Sequence, residues 1–354
     1  MSMGAAASAA CNETYEVSGR QVRVEADAGL EMCAGTVEHM DRFVERFAAE
    51  LGLPLTDEPW IDYRWMEWQR FLERNPCGGM PACALIRTVY SSEIPHEHEL
   101  VHAAASDLGL AHPFFVEGLA TAFEGNLRAD ELTLGEVDGT TGEEEDAWPD
   151  VVAVLREGYM WLPGDYYEVA GAFTRYLIDR FGLRMYLEYY RRTWWGDSYA
   201  ALDRDFQAVF GEPLAAAAAD FKATRSDCGV AGYRFKLLEC EAPELEWDGR
   251  RLARYFTIDC EDAAAFGQAG ASVRLVHSLE VPAGGRYRVE LRGGRDTSVT
   301  LGSCGGCERQ AIARVSGATR VREVELPAGR YFLRAETGSA EPMTFGLVIE
   351  QVGE

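Results

Sequence analysis

Apolar residues recur at helical spacing through 33–53, at Val37, Met40, Phe43, Val44 and Phe47, which predicts an amphipathic helix. Ahead of it, 15–24 alternates in strand fashion. Two more extended segments are predicted around 60–63 and 84–90, the second rich in β-formers. From Pro95 to about Arg225 the periodicity becomes mainly helical. Pro95 and Pro113 suit first-turn positions and Gly109 and Gly125 suit ends, predicting helices over 95–108 and 113–124. Further helices are predicted over 166–181, 183–193, 199–210 and 214–224, while 126–165, with its run of acidic and turn residues, reads as a surface insertion. After Cys228 the pattern changes to short alternating strands between glycine-rich turns, roughly eight of them, which predicts a β-sandwich or jelly roll.

The expected class is α+β in three parts: a small β-containing N-terminal lobe (12–94), a helical lobe (95–228) and an all-β domain (229–354). At 354 residues the chain is long for one domain, in keeping with a catalytic unit plus an accessory module. One internal echo stands out in the last part, where Val281-Pro-Ala-Gly-Gly-Arg-Tyr287 returns as Leu326-Pro-Ala-Gly-Arg-Tyr331. Two similar turns in one sandwich account for it without duplication.

Charge removes one class of partner. With 58 acidic against 34 basic residues and a net charge of -24, the chain repels polyanions, so nucleic acid is not an expected partner. No apolar run approaches the roughly 20 residues of a membrane-spanning helix. Nine cysteines, several in loop contexts such as Cys77 with Cys83 and Cys304 with Cys307, argue for disulfides and an oxidising compartment. Cys77 and Cys83 suit a small closed loop, and Cys304 or Cys307 is expected to pair with Cys260 or Cys240. The first residues lack the basic start and apolar core of a signal peptide, so secretion to the cell envelope or beyond is inferred from the cysteines. Cys11, after Ser8-Ala9-Ala10, resembles the end of a bacterial lipobox and is a candidate lipid anchor; the alternative is a free or paired thiol.

The chemistry concentrates at His98-Glu99-Leu100-Val101-His102, an H-E-x-x-H segment in a chain with only six histidines. On a helix the two histidines four apart share a face and can reach one ion. Glu99, about 100° around the axis, stands beside that ion's water, where a general base belongs. The metal implied is Zn2+. A third ligand is required, and the residues in reach are Glu117, His112, Glu124 and Asp107. The H-E-x-x-H-x-x-G-x-x-H pattern is excluded, since Ala105 and Leu108 occupy its later positions. His39 and His277 have no histidine at ligand spacing and read as structural, while His96 and Glu97 cap the helix start or line a cleft.

With Phe115-Val116-Glu117-Gly118-Leu119-Ala120 downstream, the chain resembles the gluzincins, thermolysin-like and aminopeptidase-like zinc peptidases in which H-E-x-x-H precedes a helix bearing E-G-L-A or E-G-F-A. That resemblance implies Glu117 as third ligand and a zincin fold for the first two lobes. The gap of fourteen residues between His102 and Glu117 is shorter than in the best-known members, so a short interhelix loop is expected. Tyr167 to Gly182 is similar to a further segment of these proteins, which implies Tyr167 as hydrogen-bond donor to the oxyanion, with Tyr166 as the fallback. The final domain resembles the pre-peptidase C-terminal sandwich, which would anchor, fold or target the enzyme and need not touch the zinc.

The activity implied is hydrolysis of a peptide or protein substrate. The strand near 84–90 would hold the substrate backbone by β-addition. Gly78-Gly79-Met80 is not followed by the glutamate with which aminopeptidases of this type grip a free amine, which favours an endopeptidase. The rival readings are an aminopeptidase and a catalytically silent secreted protein that binds metal or peptide.

Overall fold

The structure, a computed structural model, describes residues 14–125, 149–224, 235–305 and 312–352. Cys11, Cys228, Cys307 and most of the acidic insertion lie outside the described residues. The molecule is mixed α and β with two hydrophobic cores.

The N-terminal lobe is a five-stranded sheet in the order β1-β2-β3-β5-β4: β1 (Thr14–Ser18), β2 (Val22–Asp27), β3 (Ile61–Trp65), β5 (Thr88–Ser91) and β4 (Ala82–Leu85). β2, β3 and β5 run parallel, and the two edge strands are antiparallel to their neighbours. Two expectations need correction here. The alternation over 15–24 belongs to two strands joined by a turn, and 84–90 likewise spans a hairpin, with Ile86 in left-handed backbone (φ 57) at its tip. Alternation survives across a tight turn, so pattern alone runs the strands together. In the first hairpin the carboxylate of Asp41, 2% exposed, accepts the backbone N–H groups of Arg20, Gln21 and Val22. Gly19 is required there, because a Cβ would sit 2.3 Å from an Asp41 oxygen. Asp41 lies on α1 (Thr36–Leu51), whose Met40, Phe43, Val44, Phe47 and Leu51 form the buried stripe that covers the sheet.

After α2 (Trp68–Arg74), which the sequence pattern did not predict, the helical lobe comprises α3 (Glu97–Ala104), α4 (Pro113–Phe123), α5 (Val151–Glu157), α6 (Tyr167–Phe181), α7 (Leu183–Arg192), α8 (Tyr199–Phe210) and α9 (Leu214–Thr224). The expected helix over 95–108 is shorter: Pro95 stands outside it, His96 is the N-cap residue, and 105–108 tightens into a 3₁₀ turn. Pro113 does occupy the first turn of α4. α4 packs along α6, and Gly118 makes the close approach, since a Cβ would meet Thr174 Oγ1 at 2.6 Å and Ala170 O at 2.7 Å.

The chain then crosses between cores. Phe235 stacks on Phe123 (4.3 Å) and donates its N–H to Ala122 O, and Leu237 and Leu238 belong to the first core. Beyond them, a four-stranded sheet is ordered β13-β10-β15-β7 and a second sheet β12-β11-β14-β9-β6, with β8 beside β9. These are β6 (Glu244–Leu245), β7 (Arg251–Ile258), β8 (Phe266–Gln268), β9 (Ser272–Val281), β10 (Gly285–Gly293), β11 (Thr297–Ser303), β12 (Ile312–Ser316), β13 (Val321–Leu326), β14 (Gly329–Thr337) and β15 (Met343–Gln351). Alternate residues such as Leu252, Tyr287, Val289, Leu333 and Leu347 form the core shared by the two sheets.

The repeated Pro-Ala-Gly stretches are the two corners where the chain passes from one sheet to the other, β9 to β10 and β13 to β14. Each corner is tied the same way: Tyr287 donates its hydroxyl to Ala283 O (2.7 Å), and Tyr331 to Pro327 O (3.0 Å). The echo in sequence is therefore one local hydrogen-bonding solution used twice.

Three disulfides are formed among the described residues: Cys33–Cys260, Cys77–Cys83 and Cys240–Cys304. The second closes the loop next to β4, and the third is one of the pairings expected of Cys304. The first was not anticipated. It joins residues 227 apart in sequence and fastens the N-terminal lobe to the sandwich. Around it, Cys33 N–H donates to Gly267 O, Ala34 N–H to Cys260 O and Gly35 N–H to Ala265 O. A Cβ at Gly35 would lie 2.3 Å from Ala263 O. Among the described residues, no helix is long and apolar enough to cross a membrane.

Candidate metal centre

α3 is only eight residues long, and nearly all of it is buried between the sheet and α4. His98 and His102, one turn apart, point to the same side, and α4 presents Glu117 to both. His98 Nε2 and His102 Nε2 each lie 3.1 Å from Glu117 Oε2 and 3.1 Å from each other. Among the described residues this is the one group of three or more histidine, cysteine or carboxylate side chains whose donor atoms lie within 4.8 Å of one another.

The triangle has a spacing that could hold a tetrahedral metal ion. Ligand atoms at about 2.0–2.1 Å from zinc stand about 3.3 Å apart in a tetrahedron, close to the 3.1 Å separations here. Two ring nitrogens and a carboxylate oxygen in such a triangle direct lone pairs at one another and need either protons or a cation between them. Electrostatics agree. Burial alone would push His98 down, but hydrogen bonds to Glu117 and Glu124 overcome it and raise its pKa to about 10. Burial would raise Glu117, yet the two imidazoles pull it well below the usual carboxylate range.

The neighbours of the triangle fall into distinct places. Glu124 meets His98 Nδ1 at 2.8 Å, on the ring edge opposite Glu117. It is thus no member of the donor triangle: it takes Nδ1 and leaves Nε2 to the triangle, the arrangement usual behind a metal-binding histidine. Spacing carried the signal for this, because Glu117 and Glu124 are seven apart and two helical turns bring them back to one face. His112, another residue in reach by sequence, is the N-cap of α4, where its Nδ1 accepts the Phe114 N–H (3.3 Å). Asp107 is paired with Arg87 at the surface. Neither stands in the triangle.

Glu99 is 7% exposed, and its charge is near enough to contribute to raising both His98 and Tyr167. The ring of Tyr167, at the start of α6, stacks on His98 with centroids 5.5 Å apart and planes 4° from parallel. Burial and the hydrogen-bonded Glu117 carboxylate push its phenol up, so it stays protonated at neutral pH. Tyr166 turns instead to Tyr159, with hydroxyls 3.4 Å apart. Glu97 points away from the triangle to His39 Nε2 (3.0 Å), a contact that no ligand spacing in the sequence signals. His277 lies in the sandwich, its Nδ1 3.2 Å from Pro243 O.

No protein-family model matches this chain, and no curated protein matches it either. Solved structures similar to part of it include the pre-peptidase C-terminal domain of a collagenase from Bacillus anthracis, at 11% identity over 30% of this chain and 90% of that one, with a TM-score of 0.22. PliG, a periplasmic inhibitor of g-type lysozyme, matches from Aeromonas hydrophila at 18% identity over 30% of this chain and 93% of that one (TM-score 0.22). Its Salmonella Typhimurium counterpart matches at 15% over 30% and 95% (TM-score 0.21). Likeness at this level carries no argument about what this chain does.

Proposed function

We propose that this protein is an extracytoplasmic zinc peptidase of gluzincin type, with His98, His102 and Glu117 holding the metal. The observation that carries the reading is the 3.1 Å triangle of His98 Nε2, His102 Nε2 and Glu117 Oε2 beside a buried Glu99. Zinc bound there would act as a Lewis acid, making a water more acidic and polarising a carbonyl oxygen. Glu99 would take the proton from the attacking water and pass it to the leaving amine. Tyr167, kept neutral, would donate a hydrogen bond to the oxygen that gains charge. β4 is an edge of its sheet and can take an extended peptide by main-chain pairing, with the Cys77–Cys83 loop beside it. Endopeptidase action is the preferred form, since no glutamate follows Met80 to bind a terminal amine. The three disulfides support an oxidising compartment.

The test is to measure zinc stoichiometry and to assay a diverse peptide library with and without chelator. One zinc per chain and cleavage that chelation abolishes and zinc restores are the expected results. A chain that binds zinc and cleaves nothing would be a metal-binding protein and not a peptidase.

A further inference from the structure

The sandwich touches the metal-binding helix through one intermediary. Phe266 on β8 stacks on the ring of His39 on α1, with centroids 3.8 Å apart and planes 6° from parallel. His39 Nε2 in turn lies 3.0 Å from Glu97 Oε1. Glu97 is the first residue of α3, adjacent to His98, and is 5% exposed. The three groups form an unbroken chain of contacts from β8 of the sandwich to the start of the helix that carries both imidazoles.

The docking that holds Phe266 in place is covalent and hydrogen-bonded together. Cys33–Cys260 closes one side, and Thr36 Oγ1 donates to Gly267 O (3.1 Å) while accepting the Gly267 N–H (3.0 Å). Met32 pairs with Gln268 on the other side. Thr36 opens α1, and His39 follows one turn later on that helix. The position of the His39 ring is therefore set from both ends, by its own helix and by the sandwich.

We propose that His39 is a positioning residue for the metal centre and that the C-terminal sandwich acts on the centre through it. The physical reason lies in how α3 is held. Packing against α1, α4 and the sheet holds two turns of helix largely through apolar contacts, which are not directional, and a buried carboxylate at the first residue, hydrogen-bonded to a neighbouring helix, adds a directional one. Rotation of α3 would carry His98 and His102 away from Glu117 together. This inference rests on the metal reading above, and deepens it by giving the accessory domain a part in metal affinity.

The experiment uses the full chain and zinc itself. His39→Phe keeps a ring for Phe266 but removes the nitrogen that meets Glu97, whereas His39→Gln keeps a donor and loses the ring. Zinc affinity by competition with a chromophoric chelator and the visible spectrum of the cobalt-substituted protein are read for each. His39→Phe should lose about 10-fold in zinc affinity, the lower end of what residues behind a metal ligand contribute, with an altered cobalt spectrum; His39→Gln should recover most of both. Cys33→Ser with Cys260→Ser leaves His39 and Glu97 in place and should also weaken zinc. That double variant tests the sandwich's part by itself; where His39→Phe fails to fold, Glu97→Ala, which keeps His39 and removes its partner, takes its place, with the same loss expected and wild-type affinity overturning the inference. Wild-type affinity and spectrum in folded His39→Phe overturn the inference, as does His39→Gln behaving no better than His39→Phe. Unchanged affinity in the double cysteine variant overturns the part given to the sandwich. A wild-type chain that takes up no zinc sinks the metal reading itself, and this inference with it.

Discussion

Glu124 Oε2 lies 2.8 Å from His98 Nδ1, seven residues along the chain from Glu117, which meets the other nitrogen of the same ring. One helix segment thus supplies both the carboxylate oxygen of the triangle and the oxygen that holds the far edge of the His98 ring. Replacing Glu124 by Ala should weaken zinc binding about 10–100-fold, while Gln, whose amide oxygen can accept the same N–H, should fall between. Chelator competition measures both, and equal affinity in all three proteins would deny Glu124 that part.

Glu99→Gln should retain one zinc per chain and lose peptide cleavage by about 10²–10⁴-fold, the size of a general-base contribution. The pair of measurements separates the base from the ligands. Cleavage at the wild-type rate by the Glu99→Gln variant would remove Glu99 from the chemistry.

Zinc should stabilise the fold through Glu117, because the triangle draws ligands from two helices. At a free zinc concentration about 1,000 times the dissociation constant the gain is about 4 kcal/mol, read as a higher Tm that chelator reverses. In Glu117→Ala the zinc-dependent rise in Tm should shrink or vanish.

Gly118→Ala should destabilise the protein by about 1–3 kcal/mol, the usual range for overpacking. The new Cβ would press on Ala170 O at 2.7 Å, a backbone atom that cannot swing aside. Since Gly118 follows Glu117, zinc affinity should fall with stability; denaturant unfolding and metal titration check the two. A wild-type unfolding curve would show that α4 and α6 can part without cost.

His112 makes stability fall on the acid side. Burial holds its pKa at about 4, below the ordinary 6.5, although Asp197 pulls the other way. Between those values the unfolded chain carries the proton and the folded chain does not, so unfolding is favoured as pH drops from 6.5 to 4. The loss is at most about 3 kcal/mol at about 1.36 kcal/mol per unit, and it comes with the cap on α4, because a protonated Nδ1 cannot accept the Phe114 N–H. His112→Asn keeps a side-chain acceptor and should flatten that part of the Tm-against-pH profile.

Local rules were legible in the sequence. The stripe of α1, the proline-led start of α4, the spans of α8 and α9 and the alternation of the sandwich strands depend on residues a few positions apart, and the sequence carries those spacings directly. The same holds for His98 and His102, which a helical turn brings to one side wherever the helix sits. What tertiary structure alone decided are the relations across elements. The resemblance points to Glu117 and spacing puts Glu124 on its face, but that Glu117 meets both imidazoles while His112 and Asp107 do not, that Glu124 takes the other nitrogen of His98, and the Cys33–Cys260 bridge with its Phe266–His39–Glu97 contacts all depend on how helices and sheets approach in space. Periodicity fixes which side of an element is buried; it contains no term for which distant side chain will be found there.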